Sequence, residues 1–351
     1  MVEIKIGSKI IGENSDCFLI AEAGANHEGS IEKALELIDE AKNSGVDAIK
    51  FQTYSASNLT TKTAPKYWDD GISNETQFDV FSKLDTLTVS DWQKIFDYAK
   101  KRDILCFSTP FDEESVDLLD SLNVPAYKIA SADITHLPLI RKVAKKMKPI
   151  FISTGMSTMD EIHDAISIFK EEGNNEIIIM HCITSYPTEP KDANLEMISI
   201  LKKEFPEYII GYSDHTLGID IAAFSVLYGS KCIEKHFTYD KELSISRDHR
   251  LSLNADEFRH LKRRIQLIEI SRGNRRDISF EPEDNAVKYA RRSIVSKTSI
   301  SKGTKITKDL LMIKRPGTGI QPKALDDVIG MIAAKDIDED VPITWHDLTK
   351  K

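Results

Sequence analysis

The residues best suited to chemistry lie between Gly211 and Phe237. This stretch reads Gly-Tyr-Ser-Asp-His-Thr over 211–216 and Cys-Ile-Glu-Lys-His-Phe over 232–237, with an amphipathic segment between. An apolar run feeds each cluster, Tyr208–Ile210 and Ser230–Ile233, which is the βαβ pattern. Two neighbouring parallel strands then each end in a histidine. Parallel strands are buried on both faces, so polar side chains gather at their carboxyl ends, where such sheets and barrels hold their sites. Two readings are open for His215 and His236. Either each is a hydrogen-bonded strand-end residue, or the pair converges on one metal ion, with Asp214, Glu234 or Asp248 completing a nitrogen and oxygen shell suited to Mn, Fe or Zn.

Lys50 and Lys128 are the second signal. Each interrupts an otherwise apolar run, Ala48–Gln52 and Ala126–Ala130, and a lysine buried there is costly unless it meets an anion. The hydroxyls of Ser131, Ser153, Thr154 and Ser213 stand at neighbouring strand ends, so the set describes a cup for a phosphate and a carboxylate. A Schiff base at one lysine, or pairing of both with structural acids, are the other readings. A metal that polarises a carbonyl oxygen beside an anchored, phosphorylated three-carbon unit is a site for forming a carbon–carbon bond.

The elements that must position these residues repeat along the chain. β-rich apolar runs occur at Cys17–Ala23, Ala48–Gln52, Ile104–Ser108, Ala126–Ala130, Ile150–Ser153, Ile177–Cys182, Tyr208–Tyr212 and Lys231–His236. Helical patterns follow each: Ile31–Asn43, Asp91–Arg102, Glu113–Leu122, Leu139–Lys146, Met159–Glu172, Leu195–Glu204, Ile219–Tyr228 and Ala255–Arg272. Eight such units predict a TIM barrel over 1–272. A doubly wound sheet is disfavoured because no Gly-x-Gly-x-x-Gly turn follows the first strand. The strand ends are polar, with Glu22, Asn26 and His27 closing the first and Gln52 the second. Thr53–Ser90 is too long for an ordinary connection, and its aromatics, Tyr54, Tyr67, Trp68, Phe78 and Phe81, predict an ordered flap over the barrel mouth. A short hairpin or plug is expected in residues 1–16. A polar linker is expected at 273–286, and at 287–351 a small module with short strands at Arg292–Ser296, Thr304–Ile306, Leu311–Lys314 and from Ile343 onward. Its thin core predicts that it leans on a barrel, its own or another subunit's.

The net charge of −9, with no long run of one sign, argues against nucleic acid as a main partner. Cys17, Cys106, Cys182 and Cys232 are widely spaced and form no Cys-x-x-Cys pair, which suits buried thiols in a reducing compartment. With no signal-peptide pattern and no membrane-length apolar run, a cytoplasmic protein is expected.

Taken together, Ala-Glu-Ala-Gly-Ala-Asn-His (21–27), Lys-Phe-Gln (50–52), Ser-Thr-Pro-Phe (108–111), Lys-Ile-Ala-Ser (128–131), Ser-Thr-Gly-Met (153–156), Tyr-Pro-Thr (186–188), Gly-Tyr-Ser-Asp-His-Thr (211–216) and Glu-Lys-His-Phe-Thr (234–238) resemble the sialic acid synthase family. Lys-Arg-Pro-Gly-Thr-Gly-Ile (314–320) resembles that family's C-terminal antifreeze-like (SAF) domain. The resemblance implies condensation of phosphoenolpyruvate with the open-chain aldehyde of an N-acylated amino sugar, addition of water and release of phosphate. It implies that His215 and His236 bind a divalent metal, Mn first, with Mg, Co or Fe as alternatives. Lys50, Lys128, Ser131, Ser153 and Ser213 would hold phosphoenolpyruvate, and Gln52, Thr184 and Tyr186 would also contact substrate. Glu22, Asp133 and Asp248 would handle water, protons or sugar hydroxyls. Arg315 would reach the sugar's N-acyl group from the partner of a domain-swapped homodimer. The chain departs from the family's pattern at Ser-Arg-Asp-His (246–249), where Gly-Pro-Asp-His is frequent, at Asp133 for Glu, and at Thr184 for Asn. These changes bear on which sugar is used, N-acetylmannosamine or a 2,4-diacetamido-trideoxy hexose. Two other readings are a 3-deoxy sugar acid phosphate synthase and a non-catalytic saccharide- or ice-binding protein.

Overall fold

The computed structural model describes residues 2–68, 75–243, 245–273 and 281–350. Strands β1 (Glu3–Ile6) and β2 (Lys9–Gly12) pair as an antiparallel hairpin, and Ile4, Ile6 and Ile11 are buried in the core of the following domain. Eight parallel strands then close a barrel: β3 (Phe18–Gly24), β4 (Ala48–Thr53), β5 (Leu105–Pro110), β6 (Tyr127–Ile129), β7 (Ile150–Ser153), β8 (Ile177–Cys182), β9 (Ile209–Asp214) and β10 (Cys232–His236). Each runs beside its sequence neighbour, and β10 closes onto β3. All eight expected strands are present, as the TIM barrel requires.

Helices cover the barrel because their starts are written locally. Thr88 with Asp91, Thr158 with Glu161 and Asn254 with Glu257 form reciprocal capping boxes, each satisfying two backbone donors of a first turn. The helix expected from Asp91 therefore begins at Val89, with Asp91 as its third residue. The pattern at Ile219–Tyr228 resolves into an α-helix, Asp220–Ser225, followed by a 3-10 turn, Val226–Tyr228.

Period-2 alternation decides which strand residues enter the barrel. Phe18 of β3, Phe107 of β5 and Phe151 of β7 stack inside it, with ring centroids 6.2 Å and 5.2 Å apart. Alternate strands contribute to a common layer in such barrels, and here that layer is an aromatic floor. Two residues further along each of these strands stand Ile20, Thr109 and Ser153, nearer the carboxyl-terminal mouth.

The chain divides into two compact units, 1–273 and 274–351. Of the segment expected as a linker, 274–280 lies outside the described residues. Residues 281–283 form a 3-10 turn and Asp284–Ala290 a helix, so 284–286 are helical rather than linker. The second unit has its own core of Ile294, Ile300, Ile306, Leu311, Ile320, Val328, Ile337, Ile343 and Leu348. Ser293–Ser296 pairs with Leu311–Lys314, and Ile332–Ala333 with Leu348–Thr349. Two expected strands are not formed as read. Thr304–Ile306 contributes only an isolated bridge, Lys305 to Ile332. The strand expected from Ile343 starts at Leu348, because Thr344 and Asp347 form a capping box that winds Trp345–Asp347 into a 3-10 turn.

Candidate active site

Register brings the predicted residues together. Glu22 is the Cα partner of Lys50 on one side and of His236 on the other, while Ser213 lies beside Glu234. A bulge in the pairing between Glu22 and Gly24, where Gly24 takes φ +53°, breaks the ladder at the mouth. Such bulges re-aim side chains beside active sites. The result is a mouth cavity of about 490 Å³, lined among others by Glu22, Lys50, Gln52, Lys128, Ser131, Asp133, Ser153, Thr184, Tyr186, Ser213, Glu234, His215 and His236.

At its base, Lys50 and Glu22 form an ion pair of 2.7 Å, each side chain 3% exposed. Lys50 also donates to Thr109 Oγ1 at 2.9 Å, and Glu234 Oε2 stands 3.8 Å away. Gln52 donates to Glu22 Oε1 at 2.9 Å. Burial pushes the Glu22 carboxyl up to about 7, against the pull of Lys50, and the negative charge of Glu234 adds to the rise. Lys128 donates to Ser153 Oγ at 2.5 Å and to the Ile129 carbonyl at 3.1 Å, and burial lowers its pKa. Lys50 is thus paired with an acid, one of the readings left open for it, whereas Lys128 is a buried amine held among the described residues by a hydroxyl and a carbonyl at the bottom of an open cavity, an arrangement that an incoming anion would relieve.

The ring centroids of His215 and His236 lie 5.4 Å apart, with the planes tilted by 47°. His215 Nδ1 lies 2.7 Å from the Ile183 carbonyl. A carbonyl only accepts, so Nδ1 carries a proton, and in the neutral ring this leaves the lone pair on Nε2, the tautomer a metal ligand needs; against the effect of burial, Cys182 and the Ile183 carbonyl raise the pKa of this imidazole. Burial holds His236 down at about 4, so its imidazole is neutral at physiological pH. Its Nδ1 is buried without a hydrogen-bond partner among the described residues, 3.7 Å from Asp248 Oδ2. These features fit two imidazole ligands to a divalent ion. Among the described residues no cluster of three His, Cys, Asp or Glu stands ready as a complete shell, so substrate or water oxygens would complete one. Asp133 lies on the opposite wall, where burial raises it to about 6 and its Oδ2 has no hydrogen-bond partner among the described residues.

Some candidates face elsewhere. Asp214 is on the outward face of β9, where it accepts from Tyr212, Thr216 and Lys235, and its 2.7 Å pair with Lys235 is fully buried. It is a structural acid and is excluded as a metal ligand. Asn26 donates to the Phe237 carbonyl and Ser252. His27 accepts from the Gly29 amide and packs on Phe51 and Trp92, so both brace the β3 loop. Arg315 is exposed in the second unit. Its segment is tied down by Ser293, which donates to the Pro316 carbonyl at 2.7 Å and accepts from the Gly319 amide at 2.8 Å.

Glu234 is in the cavity wall, where it was expected only as one of three possible acids. Its signal was alternation, since Glu234 shares a strand face with His236 while Lys235 shares the other with Asp214. Thr109, Cys182, Tyr54, Tyr67 and Phe81 also line the cavity. The last three belong to the long connection after β4, whose described parts form helices Ala56–Leu59 and Gln77–Leu84 beside the mouth. Residues 69–74 of the expected flap lie outside the described residues.

Gly155 offers a direct test of this packing. A Cβ there would sit 2.4 Å from Thr184 Oγ1 and 2.9 Å from Ser131 Oγ, which accepts from the Gly155 amide at 3.0 Å. Gly155→Ala is expected to destabilise the protein by about 1–3 kcal/mol in thermal unfolding and to weaken binding of inorganic phosphate in the cavity by displacing Ser131. An unchanged phosphate affinity would remove Ser131 from the candidate site.

An eight-stranded barrel with this mouth, followed by a SAF domain, is the build of a sialic acid synthase-like enzyme. Residues 37–277 match the NeuB family and 291–349 the SAF domain, and the chain belongs to the NeuB family. It is 36% identical over 350 residues to the N,N'-diacetyllegionaminic acid synthase of Legionella pneumophila, covering 97% of each chain. It is 35% identical over 331 residues to a pseudaminic acid synthase of Campylobacter jejuni, covering 92% of this chain and 93% of that one. The crystal structure of the N-acetylneuraminic acid (sialic acid) synthetase of Leptospira borgpetersenii, in complex with citrate, aligns with a TM-score of 0.74 and 33% identity over 82% of this chain and 95% of that one.

Proposed function

We propose that the chain condenses phosphoenolpyruvate with the open-chain aldehyde of an unphosphorylated N-acylated amino sugar, giving a nonulosonic acid and phosphate. The observation that carries this reading is the pair of buried lysines beneath two histidines in one cavity. Lys50, Lys128, Ser131, Ser153 and Ser213 hold the phosphate and carboxylate, with Gln52, Thr184 and Tyr186 contacting substrate around them. Lys50 and Lys128 are the only basic side chains among the described cavity residues apart from the histidines. A phosphosugar acceptor would call for a second basic cluster, which disfavours the sugar acid phosphate synthase reading.

His215 and His236 would hold a divalent metal, Mn as the first choice. When bound, the metal supplies electrophilic polarisation of an aldehyde oxygen. The enol methylene of phosphoenolpyruvate forms the new bond to the aldehyde carbon, leaving positive charge on C2. Glu22 and Glu234 stabilise that charge until water adds there, and phosphate then leaves C2. Glu22, balanced near neutrality, can give a proton to the new hydroxyl, and Asp133 or Asp248 can take one from the attacking water. Arg315 of a partner subunit would contact the N-acyl group in a domain-swapped homodimer, and the protein would work in the cytoplasm.

The test is phosphate release from phosphoenolpyruvate with Mn, offering N-acetylmannosamine and 2,4-diacetamido sugars separately, with and without EDTA, and weighing the products. Release with one sugar, lost on chelation, is expected. No release with any of them sinks the reading. Because Asp133 is raised to about 6 and acts as its carboxylate, the rate is expected to fall as pH drops through about 6. Asp133→Asn should be slower and lack that acid limb. An acid limb that persists in this variant would assign the base elsewhere.

A further inference from the structure

Arg247 opens the turn Arg247–Leu251 after β10, directly before Asp248. Its guanidinium carbon lies 4.0 Å from the ring centroid of Trp68, 4.9 Å from that of Tyr186 and 5.0 Å from that of Tyr67. Nη2 donates to the Tyr67 hydroxyl at 2.9 Å, and Nε stands 3.6 Å from Asp248 Oδ1. Three segments remote in sequence therefore meet on one planar cation: the connection after β4, the loop after β8 and the turn after β10. A guanidinium suits this role because it stacks on aromatic faces, which a lysine ammonium does not do as well.

Two of the three rings belong to the cavity wall. Tyr67 and Tyr186 both line it, and Tyr186 packs on His215 at 4.1 Å and on His236 at 5.9 Å. The lysines lie on the floor, against Thr109 and Ser153. The cation thus braces the aromatic rim beside the histidines and touches nothing at the lysine floor.

We propose that Arg247 is a positioning residue that pins the segment carrying Tyr67 and Trp68 to the loop carrying Tyr186, and so builds the wall on which the acceptor sugar lies. The kinetic part of this proposal rests on the function proposed above, and the structural part does not. Loss of the brace frees the connection after β4 and weakens the sugar site, while the lysine floor that takes phosphoenolpyruvate is untouched.

The test compares the full-length wild type with Arg247→Ala, Arg247→Lys and Tyr67→Phe. In limited trypsin digestion, cleavage after Lys62 and Lys66 is expected about tenfold faster in Arg247→Ala at an unchanged thermal midpoint, since local opening exposes that segment. Arg247→Lys, which keeps charge but loses planar stacking, should fall between. Tyr67→Phe, which keeps the ring and loses the hydrogen bond, should stay closer to wild type. In steady state, KM for the sugar is expected to rise about tenfold in Arg247→Ala, with KM for phosphoenolpyruvate within about twofold. Equal cleavage rates in wild type and Arg247→Ala, or parallel rises in both KM values, would overturn the proposal. Wild type inactive with every N-acylated sugar would sink the function and leave the digestion to decide the role of Arg247.

Discussion

Lys50→Met is expected to destabilise the barrel by about 3–5 kcal/mol, because it removes the partner of a buried charge. Lys50 touches Glu22 at 2.7 Å with Glu234 3.8 Å away, and all three side chains are at most 8% exposed. Without the cation the two carboxylates face each other in a low-dielectric site. Glu22→Gln in the same chain removes one of those charges, so the double variant should regain more than half of the lost stability and remain without activity. The pH dependence has a definite sign. The folded Glu22 carboxyl is raised from 4.5 to about 7 by burial and by Glu234, and loss of Lys50 raises it further. A raised acid is harmless below its unfolded value and costs stability as pH rises through the folded one. Lys50→Met should therefore approach wild type near pH 4.5 and differ most above pH 7. A penalty that does not change over that range, measured by thermal unfolding, would mean that the ion pair is not what holds the base of the mouth.

His215→Ala and His236→Ala are each expected to lower kcat by at least about 10³-fold, the order expected when roughly 4 kcal/mol of charge stabilisation at a developing alkoxide is lost. The ring centroids lie 5.4 Å apart, the Ile183 carbonyl holds the proton on His215 Nδ1 and so leaves Nε2 for a ligand role in the neutral ring, and His236 is neutral. Neither side chain is a hydrophobic core element, so thermal midpoints should move little beside the kinetic loss. Purified wild type should carry close to one equivalent of metal by elemental analysis, and each variant much less. The residual rate of the variants should no longer respond to EDTA. Full metal content with lost activity would instead make the histidines acid–base groups.

The architecture was legible because it is repeated and local. Eight apolar runs alternating with eight helical patterns specify a barrel, whereas the Thr88–Asp91 capping box, which apolar patterning does not reveal, moves one helix start from the expected Asp91 to Val89. Lys50 and Lys128 stood out because a lysine inside an apolar strand needs a reason, and both are in the cavity. The errors have equally local causes. Asp214 was weighed with Glu234 and Asp248 by nearness in sequence, whereas strand alternation places it on the outer face with Lys235. The strand expected from Ile343 yields to the Thr344–Asp347 capping box, a side-chain bond that apolar patterning does not reveal.

By itself the sequence determined the barrel strands, their order, the polar residues at their carboxyl ends and the family to which the chain belongs, because these follow from periodicity and from motifs read along one dimension. Only the tertiary structure decided which charges meet. The pairing of Lys50 with Glu22, the burial that lifts Glu22 and Asp133 towards neutrality, the tautomer of His215 and the stacking of Arg247 on Tyr67, Trp68 and Tyr186 all depend on distances between segments remote in the chain. Electrostatic energy varies with separation and dielectric, and both are set when the barrel closes.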